Sequence, residues 1–304
     1  MSKTSRWLAD GLFVLAAGLV ANTLLGPLFT GTIQYHYGET LTNQGIGVDA
    51  VAVFAAVPIA VAAALLSLRG HVAGPVLAFI PATFTAYMAP QYLVGPDYLG
   101  LAGNNEQFFV LHLGLLILSV TLILTAWASI DRNRLLPATR RSDVRRSWTL
   151  LGVAGFIALG RWMPSILDLM SGQPSIPDYL DNPTSVMLIG TLDLGLVVPA
   201  AAAAAFGLRA GTRWARTAAY GVIGWFALTP ASVAVMNITM QINDDPMATM
   251  AATVLFTTAA LIFTAGAALL YRPLFISTRQ PPAGSGASNH TESTREHATT
   301  ATKS

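Results

Sequence analysis

The chain has 304 residues, 53% of them hydrophobic and 11% charged, with a net charge of +2 and no cysteine. A soluble domain carries roughly 25% charged residues, so this composition, with a mean hydropathy of +0.56, is that of a membrane protein. Without cysteine there are no disulfides, thiolate zinc sites, iron–sulfur clusters or thiol redox steps.

A helix needs about 20 apolar residues, rising 1.5 Å each, to cross a bilayer. Eight such runs follow in chain order: Trp7 to Phe29, Asp49 to Leu68, Val72 to Val94, Phe108 to Ile130, Trp148 to Met170, Val186 to Leu208, Thr217 to Gln241 and Met247 to Tyr271. The expected fold is all-α, a polytopic transmembrane bundle of eight spans over residues 1–279. A basic loop from Asp131 to Ser147 divides it into two halves, 1–130 and 148–279. The tail, 280–304, is rich in Pro, Gly, Ser and Thr without apolar periodicity, which predicts disorder. The first run also resembles a secretory signal, but it continues through Leu28 and Phe29 with no A-x-A site, which favours a retained span.

Charge orients the spans. With the N-terminus cytoplasmic, every one of the 17 Lys and Arg residues except Arg161 falls on the inside. The outside loops then carry Glu39, Asp97, Glu106, Asp178, Asp181, Asp244 and Asp245 and no basic residue, a positive-inside pattern with both termini in the cytoplasm. Trp7, Trp148 and Trp214 follow arginine-bearing segments, as interfacial anchors do. The pI near 9 therefore reports topology in a cell membrane, not affinity for nucleic acid.

Each half contains an acid on the outer side, a proline within the span and an arginine at the exit: Asp49, Pro58 and Arg69, then Asp193, Pro199 and Arg209. A duplication would produce this as parallel repeats; so would the ordinary tendency of inward-running spans to end in arginine. These stretches, together with "NNEQFFVLHLGLLILS" at the fourth span, resemble a family of uncharacterised bacterial multi-pass membrane proteins. In that family an Asp followed by a Val-Pro pair recurs in two spans and an Asn-x-x-Phe element begins another, here Asn105 and Phe108. The aromatic position a turn later is Leu111 or His112 in this chain. The resemblance implies an integral membrane protein and no established activity.

Polar residues within the spans lie in their outer halves. Asn22, Tyr87, His112, Arg161, Asp193 and Asn237 fall there, with Asp168 on the stripe of Arg161 and Ser165. Thr83, Tyr87 and Gln91 form a second stripe. Polar groups from several helices at one depth point to a common cavity opening outward, with Arg161, Asp193, Tyr87, His112, Asn22, Asn237 and Asp168 as ligand-binding candidates. Separate satisfaction of each group by a neighbouring helix is the alternative. Arg161 and Asp193 lie at nearly equal depth on consecutive helices and are expected to pair. The loop 30–47 is placed to cover the opening, with Tyr35, His36 and Tyr37 at its rim or at the interface.

The reading is an integral membrane protein of unassigned activity with an outward-facing polar pocket around Arg161 for a small ligand, an anionic one being the kind an arginine anchor suits, with the bilayer as partner and no cofactor or metal expected. A transporter would need polar residues reaching the cytoplasmic side, and the inner halves offer few. An enzyme at the outer face would use His112, Asp49, Asp168 or Asp193 as acid or base, but no catalytic motif accompanies them. An accessory subunit would need no buried arginine except as an internal ion pair.

Overall fold

A computed structural model describes residues 3–276 apart from 132–134 and 136–138. The expected tail, with Arg279, Arg295 and Lys303, and the loop residues Arg132 and Arg134 lie outside the described residues. Among the described residues there is no strand. The long helical segments are α1 (Lys3–Leu25), α2 (Glu39–Leu68), α3 (Ala73–Val94), α4 (Asn105–Ser129), α5 (Arg140–Met170), α6 (Pro183–Arg209), α7 (Arg213–Ile242) and α8 (Met250–Phe275).

Seven of them are long and apolar enough to cross a membrane, one fewer than the sequence suggests. The exception is α3, whose 22 residues include Pro81, Pro90, Thr83, Thr85, Tyr87, Gln91 and Tyr92. It is packed between α2, α4 and α7. Thirteen of its residues are buried, so it has little need of a lipid-compatible surface. At about 33 Å it is nonetheless long enough to run from the Arg69–Val72 turn to the opposite face.

Hydrogen bonds gather the acidic loops on one face. Asp97 N donates to His36 O at 2.8 Å, Ser185 Oγ to Gly95 O at 2.7 Å, and Asn43 Nδ2 to Asp245 Oδ2 at 2.9 Å. On the other face Arg216 pairs with Asp143 at 2.8 Å, Arg209 Nε donates to Ser147 Oγ at 3.0 Å, and Tyr271 OH donates to Tyr220 O at 2.6 Å. The chain is thus an integral membrane bundle with an acidic-loop end and an arginine-rich end.

Three helices widen into π turns: α2 at Ala52–Ala56, α5 at Phe156–Trp162 and α6 at Asp193–Val197. Each lies just before a proline, Pro58, Pro164 or Pro199. A proline ring clashes with the carbonyl four residues back, here that of Phe54, Gly160 or Gly195, and each of these falls inside the widened turn.

The two halves share their neighbour relations. α1 packs on α2 as α5 packs on α6; α2 on α3 as α6 on α7; α3 on α4 as α7 on α8. Across the halves α3 meets α7, α2 meets α7, and α6 meets α3. Close approach within each half rests on alanine: Ala60, Ala63 and Ala64 in α2, and Ala201, Ala204 and Ala205 in α6, are fully buried. Small side chains let helix backbones approach, and dispersion then holds them where lipid supplies no hydrophobic drive.

Candidate functional site

The polar residues of the spans gather into two networks near the acidic-loop end. The first surrounds Asp49, three residues ahead of the π turn of α2. Its Oδ1 accepts from Asn22 Nδ2 and from Tyr92 OH, each at 3.4 Å, and Thr23 Oγ1 donates to its backbone carbonyl at 3.4 Å. Asn22 Oδ1 lies 2.9 Å from His112 Nε2 and 3.5 Å from the Tyr35 hydroxyl. Because the Asn22 amide donates to Asp49, its carbonyl oxygen is the acceptor, and His112 must carry its proton on Nε2. Among the described residues, His112 Nδ1 and Asp49 Oδ2 are left buried without a partner. Tyr35 stacks on Tyr92 about this knot and both rings lie tilted to His112, with ring centroids 5.1 to 5.9 Å apart.

The loop after α1 thus does not form a rim. Tyr35 and His36 turn inward and are 6% and 8% exposed. Asn105, from the Asn-x-x-Phe element, holds the loop by accepting from His36 N at 3.3 Å and donating to Tyr92 O at 3.0 Å. Burying tyrosine rings inside the bundle removes more apolar surface than leaving them at the interface, provided each hydroxyl finds an acceptor, as the Tyr35 and Tyr92 hydroxyls do.

The second network surrounds Asp193, the first residue of the π turn of α6. Tyr87 OH of α3 donates to Oδ1 at 2.8 Å, and Trp162 Nε1 of α5 donates to Oδ2 at 2.8 Å. The Tyr87 ring lies edge-on to Trp225 of α7, with centroids 5.1 Å apart. Gly190, one turn before the acid, makes room for the indole: a Cβ there would stand 3.0 Å from the Trp162 ring. The expected ion pair of Arg161 with Asp193 does not form, and both acid oxygens are held by neutral donors. The reason lies in the π turn Phe156–Trp162, which sends Trp162 into the bundle, 5% exposed, and its neighbour Arg161 outward. Arg161 remains beside the network. Its guanidinium carbon sits 5.3 Å from the Trp162 ring centroid.

The other candidates go elsewhere. Asn22 and His112 belong to the Asp49 network. Asn237 Nδ2 donates at 2.8 Å to Val233 O of its own helix. Asp168 caps the turn after α5, accepting from Ser175 N at 2.8 Å and Ser175 Oγ at 2.7 Å. Thr83 and Gln91 bond to carbonyls of their own helix, so of that stripe only Tyr87 reaches across to a neighbouring helix. Sequence reasoning passed over Trp162 and Tyr92, because an aromatic in an apolar run reads as core or interface, and it placed Tyr35 at the rim or the interface rather than in the network. The available signal was Tyr92 five residues after Tyr87, about 140° around α3, which lets one helix serve both acids.

Among the described residues no three His, Asp or Glu side chains converge as metal ligands would. Comparison with protein-family models, curated proteins and solved structures finds no match to this chain.

Proposed function

We propose that this is a cell-membrane protein, with both termini cytoplasmic, that binds a small anionic molecule at Arg161 beside Trp162, Tyr87 and Asp193. One observation carries the reading. Arg161 is exposed on an apolar helix, while the nearby acid that would neutralise it is already held by two neutral donors. It lies nine residues inside Met170, about 14 Å, farther than a side chain snorkels without help. A guanidinium at such depth costs several kcal/mol unless something polar meets it, and its planar fork suits a carboxylate or a phosphate. The resemblance to bacterial multi-pass membrane proteins agrees with the membrane part of this reading and adds no reaction.

Binding is favoured over translocation. Toward the arginine-rich end the fully buried residues of α2 and α6 include Ala60, Ala63, Ala64, Ala201, Ala204 and Ala205, which carry no polar group to line a solute's path.

The test is thermal unfolding of the purified full chain with millimolar acetate or inorganic phosphate, against chloride at equal ionic strength. One of the two anions should raise the midpoint saturably, by the equivalent of about 2.7 kcal/mol at a hundred times its Kd. Arg161→Gln should abolish the rise, and Tyr87→Phe should reduce it. A response unchanged in Arg161→Gln, or no response beyond chloride, refutes the reading.

A further inference from the structure

The two halves differ at one seam. In the first, α1 closes on α4; in the second, the corresponding pair α5 and α8 barely touch. The glycines record the difference. A Cβ built on Gly11 or Gly18 of α1 would meet a leucine Cδ2 of α4 at 2.8 Å, Leu122 and Leu115 respectively. Gly152 follows Trp148 as Gly11 follows Trp7, four residues on, yet around Gly152, Gly155 and Gly266 nothing lies within 4 Å of an added Cβ.

The open seam is a cleft of about 380 Å³, within the ~300 to 1,000 Å³ of small-molecule sites. Leu150 and Val153 of α5, Phe226 of α7, and Phe263 and Leu270 of α8 give it apolar walls, and Arg145 and Arg146 stand at its arginine-rich end. Two neighbouring arginines at this end are engaged. Arg216 pairs with Asp143, and Arg209 bonds to Ser147 and lies over the Trp148 ring at 4.1 Å. Arg145 and Arg146 form no ion pair with a described carboxylate. Trp148, two residues after Arg146 and 62% exposed, is an indole of the kind that marks the headgroup level.

We propose that this cleft is a binding site for an anionic phospholipid of the surrounding bilayer, its phosphate held by Arg145 and Arg146 and an acyl chain laid along Val153, Phe226 and Phe263. An apolar cleft open along the bundle side takes a chain, and two uncommitted arginines at one end take a charged headgroup; basic pockets between transmembrane helices recognise anionic lipids in this way. The site is distinct from Arg161 and does not depend on which face is cytoplasmic.

Native mass spectrometry of the full chain in detergent, titrated with phosphatidylglycerol or phosphatidylcholine of identical acyl chains, tests the assignment. Two arginines near a charged headgroup, at roughly 5-fold each, should favour phosphatidylglycerol by about 25-fold at low ionic strength. The Arg145→Gln/Arg146→Gln variant should bring the two lipids to parity, with its unfolding midpoint confirming an intact fold. Gly266→Leu, which fills the cleft, should weaken both lipids. Parity in the unaltered chain, or a preference that survives loss of both arginines, overturns the proposal. So does a dimer that Gly266→Leu dissociates, since a second copy would then occupy the seam.

Discussion

Arg161 and Trp162 are neighbours in sequence with opposite fates, and the structure reverses the roles composition suggests: the indole binds the acid and the guanidinium faces outward. Depth along a helix follows from counting residues, so the level of Arg161 and Asp193 was legible. Direction around the axis was not, because a widened turn shifts every later residue relative to α-helical spacing. His36 shows a second consequence of residue-level context. Its ring nitrogens face the Leu101 carbonyl and Glu106 Oε2, the latter at 2.9 Å, an arrangement that suits the doubly protonated ring. The Leu101 carbonyl, opposed by burial and aided by Glu106 and Asp97, raises its pKa above the ordinary 6.5. The stabilisation is therefore complete below about pH 6.5 and is lost as pH rises through the raised value. The unfolding midpoint in detergent should fall across that range, and the fall should shrink in His36→Gln. An identical pH slope in the variant would remove His36 from the account.

At the level of elements, proline and glycine set the geometry. The three π turns precede Pro58, Pro164 and Pro199, whereas Pro81, Pro90 and Pro230 sit within α-helix. Proline positions alone therefore did not predict where a turn would widen. Helix approach is similarly selective. A Cβ on Gly47 of α2 would stand 2.5 Å from Met236 N of α7, a backbone atom that cannot rotate aside, while Gly45 has nothing within 4 Å. Gly47→Ala should destabilise by about 1 to 3 kcal/mol through overpacking. Gly45→Ala should be neutral or gain about 0.5 to 1 kcal/mol, as alanine does for glycine inside a helix. Midpoints of the two variants in the same detergent check this, and equal effects would mean that α2 and α7 are not in close contact there.

Across the whole molecule, the loops without basic residues share one face through the His36–Asp97, Gly95–Ser185 and Asn43–Asp245 contacts, and the described arginine-bearing turns share the other. That segregation is the geometric counterpart of the charge pattern, and it carries α3 from one face to the other despite its lower hydropathy. Reporter fusions after Arg69, Arg146 and Arg209 should report cytoplasm, and those at Gly38, Pro177 and Asp245 the opposite side. Inversion at any two sites would refute the orientation.

Composition, run length and charge placement by themselves determined an all-α membrane bundle and the grouping of its loops, because insertion into hydrocarbon depends on summed hydropathy and flanking charge. The partners of the buried acids were decided only by tertiary packing. Asp49 meets Asn22 and Tyr92 of the two adjoining helices, and Asp193 meets Trp162 of the preceding helix and Tyr87 of α3 in the other half. Which donor reaches a carboxylate depends on the rotation of each helix and on where a glycine lets a ring approach, as Gly190 does for Trp162. The same holds for α3, whose polarity is tolerable only because its neighbours enclose it, and for the seam between α5 and α8, which stays open although its glycines resemble those of the closed one.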